Sequence, residues 1–241
     1  LGELSHTGAK LLFDVDEKNP YPLPVPLLDA EYSLASGAKT FLEGTAALEG
    51  SVPAGGNRTV TLPATIDFTN LINTLKSIRP GHTVPYRADM SVAVDAPAVG
   101  RVSLPLSREG ELPIPAVPKV KVESIQWDDL SLNRAKGTVK LNVGNTNQFV
   151  MGLQNLDYRL QLGGTEISAG KLAKSLKLQP GESGAVEIPL SINPSSLGLA
   201  AYKMLSSGEL SYKLTGQIKA DTPFAPLTLP LNSSGKTSIT K

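Results

Sequence analysis

The chain repeats itself, and this internal duplication constrains its fold more than any other feature of the sequence. A displacement of 128 residues places Val15 on Val143, Asn19 on Asn147 and Tyr21 on Phe149. A displacement of 126 continues the match, and one of 125 completes it. Pairs at these two displacements include Tyr32 with Tyr158, Leu34 with Leu160, Gly44 with Gly170, Gly55 with Gly181, Val60 with Val186, Pro63 with Pro189, Tyr86 with Tyr212, Asp95 with Asp221 and Gly110 with Gly235.

A period near 126 residues is far above the roughly 20 to 50 residues of solenoid repeats, so each copy is a whole domain of ordinary size. We therefore predict two domains, residues 1–115 and 119–241. Between them, residues 112–118 read Leu-Pro-Ile-Pro-Ala-Val-Pro. Because proline fixes φ and pushes its preceding residue toward extended geometry, this segment predicts a stiff, extended connector.

Hydrophobic periodicity predicts mostly β-strand structure in each copy. Apolar and polar residues alternate along segments such as 11–16, 28–34 and 156–162, which is typical of half-buried strands, and Gly163-Gly164 after the last segment predicts a two-residue hairpin. One segment per copy has helical spacing instead, through Ile78 to Pro80-Gly81 in the first copy and to Gly208 in the second. About seven strands per copy predict an all-β fold of two tandem immunoglobulin- or fibronectin III-like antiparallel β-sandwiches, each with one short helix, with the strand order left open.

The two copies differ at their start. Residues 119–127 alternate as a strand, but their counterpart at a displacement of 128 would lie before residue 1. The first domain therefore lacks its N-terminal strand in this sequence. We expect either that the polypeptide extends upstream or that the first domain has an open sheet edge, which is a pairing liability.

Charge and composition exclude several classes of function. The 241 residues carry 23 Lys and Arg against 22 Asp and Glu, with no Cys and only two His, His6 and His82. Thiolate nucleophiles, disulfides and histidine-cluster zinc sites are therefore excluded. Residues 1–118 have a net charge of −4 and residues 119–241 of +5. These opposite charges predict an attraction between the halves that salt weakens.

A proline-rich run follows the first long strand of the first copy, Asn19-Pro20-Tyr21-Pro22-Leu23-Pro24-Val25. An Asn-Pro step favours a turn, and alternate prolines extend the chain across to another strand. The positions that accompany this run are Val15, Leu28, Tyr32, Leu34, Gly37, Gly44, Gly55, Val60 and Leu62. Together they resemble the water stress and hypersensitive response domain of the second group of late embryogenesis abundant proteins. The resemblance covers nearly the whole chain twice, although Gln148 replaces the proline of the Asn-Pro step in the second copy.

The resemblance implies a β-sandwich with a helix and a non-enzymatic role in desiccation or other stress. Bacterial members of this family are often exported or lipid-anchored. The resemblance therefore implies an extracytoplasmic location, in the periplasm or cell envelope, with a lipid anchor and a cytoplasmic location both left open. The residues that carry the family motif, in a structural role, are Asn19, Pro20, Tyr21, Tyr32, Asn147, Phe149 and Tyr158.

No other motif predicts a catalytic, cofactor or metal site. Ser36 to Lys39 and Ser168 to Lys171 match the Ser-x-x-Lys of serine acyl-enzymes, but they lie in or beside hairpin turns and lack the accompanying motifs. Asp14, Asp16 and Glu17 lack the Gly-centred loop of a hard-cation site, so a solvated strand face is favoured. His82 follows a helix end with no second His beside it. The sequons at residues 57–59 and 232–234 are taken as incidental.

Lys171, Lys174 and Lys177 form the clearest basic patch. A solvated face is the simplest interpretation, and proximity to an anionic membrane is the alternative. Nucleic-acid binding is disfavoured because aromatic residues are few and several occupy inward strand positions.

These observations predict a protein without enzymatic activity, cofactor or small-molecule substrate. We expect it to protect membranes or client proteins through its surface during stress. The alternative is a binding module of the cell envelope that recruits a specific partner through a strand edge or through the loops at one end of a sandwich.

Overall fold

A computed structural model describes residues 1–197, 199–206 and 208–240. The chain divides into two compact units, Leu1–Ile114 and Pro115–Lys241. The division falls inside the proline-rich segment that the sequence placed between the two copies. Ile114 closes the first unit, where its amide donates to the His82 carbonyl oxygen at 2.9 Å and its own carbonyl accepts from Gly81 at 2.6 Å.

The first unit contains eight strands and one helix. They are β1 (Glu3–Leu4), β2 (Gly8–Lys18), β3 (Val25–Ser36), β4 (Lys39–Ala47), β5 (Ser51–Val52), β6 (Asn57–Asp67), α1 (Phe68–Leu75), β7 (Thr83–Ala96) and β8 (Gly100–Pro113). One sheet has the order β1-β2-β6, and the other has the order β4-β3-β7-β8 with β5 paired to β3. All of these pairings are antiparallel.

Both sheets of the first unit contribute to one hydrophobic core. Alternation along β2 and β6 turns every second residue inward, as the sequence pattern predicts. The largest fully buried side chains of this core are Leu34, Leu62, Leu71, Leu112 and Ile114. The core therefore includes the start of the connector as well as strands and helix.

Helix α1 is a short element with clear ends. Asp67 caps its start, because the carboxylate accepts from the Asn70 amide at 2.8 Å. Lys76 ends it in a left-handed conformation at φ 55°, with its amide bonded to the Ile72 carbonyl. The helix thus stops before Ile78, which the sequence had included in the helical spacing.

The described residues of the second unit form seven strands, β9 (Lys119–Leu130), β10 (Ala135–Gly144), β11 (Met151–Leu162), β12 (Thr165–Leu178), β13 (Ser183–Ile192), β14 (Glu209–Asp221) and β15 (Leu227–Thr240). A 3-10 turn at Pro194–Leu197 and helix α2 at Leu199–Leu205 lie between β13 and β14. Gly163 and Gly164, both at positive φ, form the predicted two-residue hairpin between β11 and β12.

The strands of the second unit form a single sheet in the order β12-β11-β14-β15-β9-β10-β13. Its two end strands, β12 and β13, approach each other, so the sheet is nearly closed into a barrel. The predicted all-β class is confirmed, whereas the immunoglobulin- or fibronectin III-like pair of separate sheets is not the arrangement of this unit.

Strand β9 accounts for that difference. It pairs with β10 along its length and, in parallel, with the last residues of β15, where Ser238 to Thr240 face Ser124 to Gln126. This parallel contact joins two groups of strands that would otherwise be separate sheets. In the first unit the corresponding strand β1 has two residues, and the two groups of strands remain separate sheets.

Candidate functional site

Asn19, the first residue of the predicted motif, holds the crossover from β2 to β3. Its side-chain amide donates to the carbonyl oxygens of Leu23, Val52 and Pro53 at 2.8, 3.1 and 3.0 Å. Its side-chain oxygen accepts from the Tyr21 amide at 2.9 Å. The side chain is 2% exposed. Because buried backbone carbonyls need donors, Asn19 ties the end of β2, the crossover and the loop after β5 together.

In the second unit Asn145 makes the same set of bonds. Its amide donates to Phe149, Leu178 and Gln179 at 2.9, 3.1 and 3.2 Å. Its oxygen accepts from the Asn147 amide at 3.0 Å. The strand registers agree, since Val15 faces Val60 and Leu141 faces Val186. The two units therefore match at a constant displacement of 126 from β2 to β7.

This constant displacement corrects the sequence alignment at the motif. Asn145, and not Asn147, is the equivalent of Asn19, and Asn147 is the equivalent of Tyr21. A displacement of 128 aligns Val15 with Val143 and the aromatic residue Tyr21 with Phe149, but it does not fit the strand registers. The displacement of 126 that fits the rest of the copy identifies Asn145 directly.

Asn147 has a separate role in the second unit. Its side-chain oxygen accepts from the Ala116 amide at 2.7 Å, and its side-chain amide donates to the Ala116 carbonyl at 3.3 Å and to the Asn145 oxygen at 2.9 Å. Phe149 is 7% exposed and contacts the Phe224 ring edge to face at 5.4 Å. The second crossover is therefore covered by its own unit.

The first crossover is exposed. Residues 20–24 all lie at the surface, and Tyr21 and Leu23 are 42% and 58% exposed. Tyr21 is held through its backbone, because its carbonyl accepts from the Gly55 amide at 3.0 Å. The proline-rich run of the first unit thus presents apolar side chains at positions where the second unit buries Phe149.

Tyr32 and Tyr158 lie opposite glycines on neighbouring strands. Tyr32 faces Gly44 across β3 and β4, and Tyr158 faces Gly170 across β11 and β12. A methyl group on Gly44 would stand 2.4 Å from the Tyr32 ring, whereas one on Gly170 would stand 3.4 Å from the Tyr158 hydroxyl. These tyrosines cover strand glycines and so serve the fold. The same arrangement recurs at Tyr86 with Gly110 and at Tyr212 with Gly235.

The edge of β2 is the site that differs most between the units. Glu3 and Leu4 of β1 face Lys10 and Ala9, as Asp129 and Leu130 of β9 face Lys136 and Ala135. Strand β1 therefore occupies the place of the last two residues of β9. Beyond Lys10, and within the part of the chain that the structure describes, β2 pairs with no strand on the side away from β6.

Glu17 lies inward on β2 near this open edge. It is 9% exposed, and burial raises the pKa of its carboxyl above the ordinary value of 4.5. The equivalent residue of the second unit is Val143, which is fully buried and faces Val120 of β9. A carboxyl therefore occupies a core position in the unit that has the shorter edge strand.

The residues of the Ser-x-x-Lys motifs, the acidic residues of β2 and His82 all have structural surroundings. Ser36 and Lys39 face each other across a hairpin, and Ser168 and Lys171 lie on β12. The Asp14 and Asp16 carboxylates accept from threonine hydroxyls of β6, each at 2.6 Å. His82 bonds to Ile114 through its backbone. Among residues 1–197, 199–206 and 208–240, no three acidic or histidine side chains are grouped to hold a metal ion.

Lys171, Lys174 and Lys177 are exposed along β12, an end strand of the sheet. Lys171 stands 4.0 Å from the Asp157 carboxylate. Lysines on an end strand discourage pairing with other strands, so this patch has a structural explanation. No helix in the described part of the chain is long and apolar enough to cross a membrane.

Comparison with known proteins matches both copies to one family. Residues 14–110 and 140–235 fit the model of the family described as late embryogenesis abundant protein. The chain is 29% identical over 114 residues to the "Desiccation protectant protein Lea14 homolog" of Glycine max, covering 47% of this chain and 75% of that protein. It is 26% identical over 113 residues to the "Late embryogenesis abundant protein Lea14-A" of Gossypium hirsutum, covering 47% and 72%. A solution structure from Arabidopsis thaliana is 22% identical, covers 46% of this chain and 74% of its own, and has a TM-score of 0.39.

Proposed function

The chain belongs to the late embryogenesis abundant protein family, and from this we propose that it is a non-enzymatic protein of desiccation or stress tolerance that protects client proteins through its surface. The observation that carries the proposal is the match of both copies to this family. The names of the soybean and cotton relatives agree with it. The motif asparagines bond within the fold, and Tyr32 and Tyr158 pack beside strand glycines, which supports a role for the folded exterior.

Drying a desiccation-sensitive dehydrogenase with and without the full chain tests protection. We expect the enzyme to recover more activity with the chain than with an equal mass of serum albumin. A double variant, Asn19→Ala with Asn145→Ala, is the matched control, because it removes the polar anchor of each unit and leaves the surface composition nearly unchanged. Recovery equal to that with albumin would overturn the proposal. Equal protection by the double variant would show that composition, and not the folded surface, is responsible.

Membranes are the other client that we propose. Three exposed lysines on β12 would each contribute about 1 kcal/mol near an anionic leaflet. Leakage of dye from dried anionic and neutral vesicles tests this role. We expect the chain to reduce leakage from the anionic vesicles and not from the neutral ones. A variant with Lys171→Gln, Lys174→Gln and Lys177→Gln should no longer protect the anionic vesicles better than the neutral ones. Equal leakage with and without the chain would remove membranes as clients.

A second function, recruitment of a partner polypeptide in the cell envelope, is favoured by the exposed apolar side chains of the first crossover loop, Tyr21 and Leu23. It requires a location outside the cytoplasm, which we propose together with it. Fractionation of cells that express the complete gene tests this location. Recovery of the protein in the cytoplasmic fraction alone would overturn it.

A further inference from the structure

We propose that the protein binds a second copy of itself, through an acidic sheet face on the first unit of one copy and the equivalent basic sheet face on the second unit of the other. The inference goes beyond the protective function, because surface protection requires no contact between copies. It rests on the strand registers, which match the sheet β4-β3-β7-β8 of the first unit to the strands β12-β11-β14-β15 of the second.

The outer face of β4-β3-β7-β8 is acidic at its centre. Alternate residues of these strands belong to the core, so the residues between them point away from it. Glu31 on β3, Glu43 on β4 and Asp89 on β7 are outward and exposed, and they line one shallow depression of about 550 Å³. Arg87 pairs with Asp89 at 2.9 Å, which leaves the carboxylates of Glu31 and Glu43 in excess.

The equivalent face of the second unit is basic. The positions that correspond across the two registers are Glu31 with Asp157, Ser33 with Arg159, Glu43 with Ala169, Thr45 with Lys171, Asp89 with Thr215 and Ala93 with Lys219. Lysine or arginine thus replaces a small side chain at three of these positions, and a carboxylate is lost at two. A depression of about 620 Å³ lies at the same place, and Asp157, Arg159 and Lys171 are among the residues that line it.

The cations of this basic face are exposed and only partly neutralised by their own unit. Arg159 lies 3.2 Å from the Glu166 carboxylate, and Lys171 lies 4.0 Å from that of Asp157. Lys219 lies opposite uncharged residues on both neighbouring strands. Because exposed ion pairs are weak, these cations can also pair with the carboxylates of another molecule.

A second copy of the chain supplies the complement of each face. Two acidic faces repel each other, as do two basic faces, so the favourable contact joins the acidic face of one copy to the basic face of another. Such a contact is heterologous and arranges the copies head to tail. Ser33 at the centre of the acidic face and Ala169 on the basic face are small, so the two sheets can approach each other closely.

Sedimentation of the full chain over a range of concentrations tests the proposal. Attraction between exposed charges extends over roughly 30 Å at about 0.01 M salt and over roughly 3 Å at about 1 M. We therefore expect concentration-dependent association at the lower salt concentration. The dissociation constant should rise at least about tenfold at the higher one.

Two charge-reversed variants locate the contact. Glu43→Lys with Asp89→Lys makes the first face basic, and Lys171→Glu with Lys219→Glu makes the second face acidic. Each variant alone should associate at least about tenfold more weakly than the wild type, because its two faces then carry like charge. An equimolar mixture of the two variants should associate again, because the unchanged face of one complements the unchanged face of the other.

Glu3→Lys with Glu49→Lys is the matched control, because it makes the same change in net charge as the first variant outside the two faces. Both residues are exposed, on β1 and after β4. The dissociation constant of this control should stay within about threefold of the wild-type value. A chain with all four face substitutions should also recover self-association, because its acidic and basic faces have exchanged places.

Several results would overturn the proposal. These are a single-copy species at every concentration in low salt, association that salt does not weaken, failure of the mixed variants to associate, and an equal loss of association in the control. A chain that becomes more compact in low salt without associating would assign the attraction to the two units of one molecule instead of two copies.

Discussion

The two units share one sequence pattern, but the strands that pair with β2 and β10 on the side away from β6 and β13 differ in length. In the second unit β9 has twelve residues, joins β10 to β15 and buries three large side chains. In the first unit β1 has two residues, and β2 keeps a free edge beyond it among the described residues. The crossover that follows β2 and β10 has the same anchor in both units, one buried asparagine bonded to three carbonyls. The comparison teaches that the same asparagine anchor holds an exposed crossover in the first unit and a covered crossover in the second.

The largest expected loss of stability comes from truncating a buried side chain of β9. Ile125→Ala removes a fully buried side chain, so it should lower the free energy of unfolding of the second unit by about 2–5 kcal/mol. Trp127 is the only tryptophan, so its fluorescence during urea unfolding reports on this unit. The contrasting change in the first unit is Leu4→Ala on β1, where the side chain is only partly buried and the loss should stay near 1 kcal/mol, measured by hydrogen exchange of β2 amides. Equal losses in both units would contradict the different roles of the two strands.

The next effect tests the equivalence of Asn19 and Asn145. Each replacement by alanine leaves three carbonyls and one backbone amide without their side-chain partner, and Asn145→Ala also removes the acceptor of the Asn147 side-chain amide. Each should cost its own unit about 2–4 kcal/mol. Asn147→Ala should cost less, because two of the three side-chain hydrogen bonds of Asn147 are to a single residue, Ala116. Urea unfolding checks the second unit, and hydrogen exchange checks the first. A larger loss for Asn147→Ala than for Asn145→Ala would restore the alignment at a displacement of 128.

The sequence predicts the duplication, the β class, the short helices and the Gly163-Gly164 turn, because each depends on local periodicity or on residues that readily adopt positive φ. It did not reach the sheet order, since the parallel contact of Ser238 to Thr240 with β9 joins residues more than a hundred positions apart. It also chose Asn147 over Asn145. Three similar pairs, Val15 with Val143, Asn19 with Asn147 and Tyr21 with Phe149, favour a displacement of 128 in the sequence. The hydrogen bonds of the asparagines show instead that Asn145 closes the second crossover.

A smaller effect compares the two tyrosine–glycine pairs. Gly44→Ala places a methyl group 2.4 Å from the Tyr32 ring, which must move, so it should cost the first unit about 1–3 kcal/mol. Gly170→Ala meets the Tyr158 hydroxyl at 3.4 Å, a distance that needs little adjustment, and should change stability by less than about 0.5 kcal/mol. Hydrogen exchange of β4 and β12 amides measures the two effects separately. A neutral Gly44→Ala would mean that the Tyr32 ring can turn away without loss.

The smallest effect concerns Glu17, where the second unit has Val143. Because burial raises the pKa of Glu17, the folded unit holds its proton more tightly than the unfolded chain does. This carboxyl therefore imposes no penalty below the unfolded pKa, and stability is lost as the pH rises through the folded pKa. Glu17→Val should stabilise the first unit at neutral pH by about 1 kcal/mol, and the gain from removing the charge should disappear in acid.

Asp16→Val is the control for this last change, because Asp16 is exposed and its replacement removes a carboxylate without filling a core position. Hydrogen exchange of β2 and β6 amides at pH 4 and pH 7 measures both variants. A gain for Glu17→Val that is the same at both values would assign it to packing alone. A gain that Asp16→Val reproduces would assign it to the net charge of the strand, and the inward position of Glu17 would then have no energetic consequence of its own.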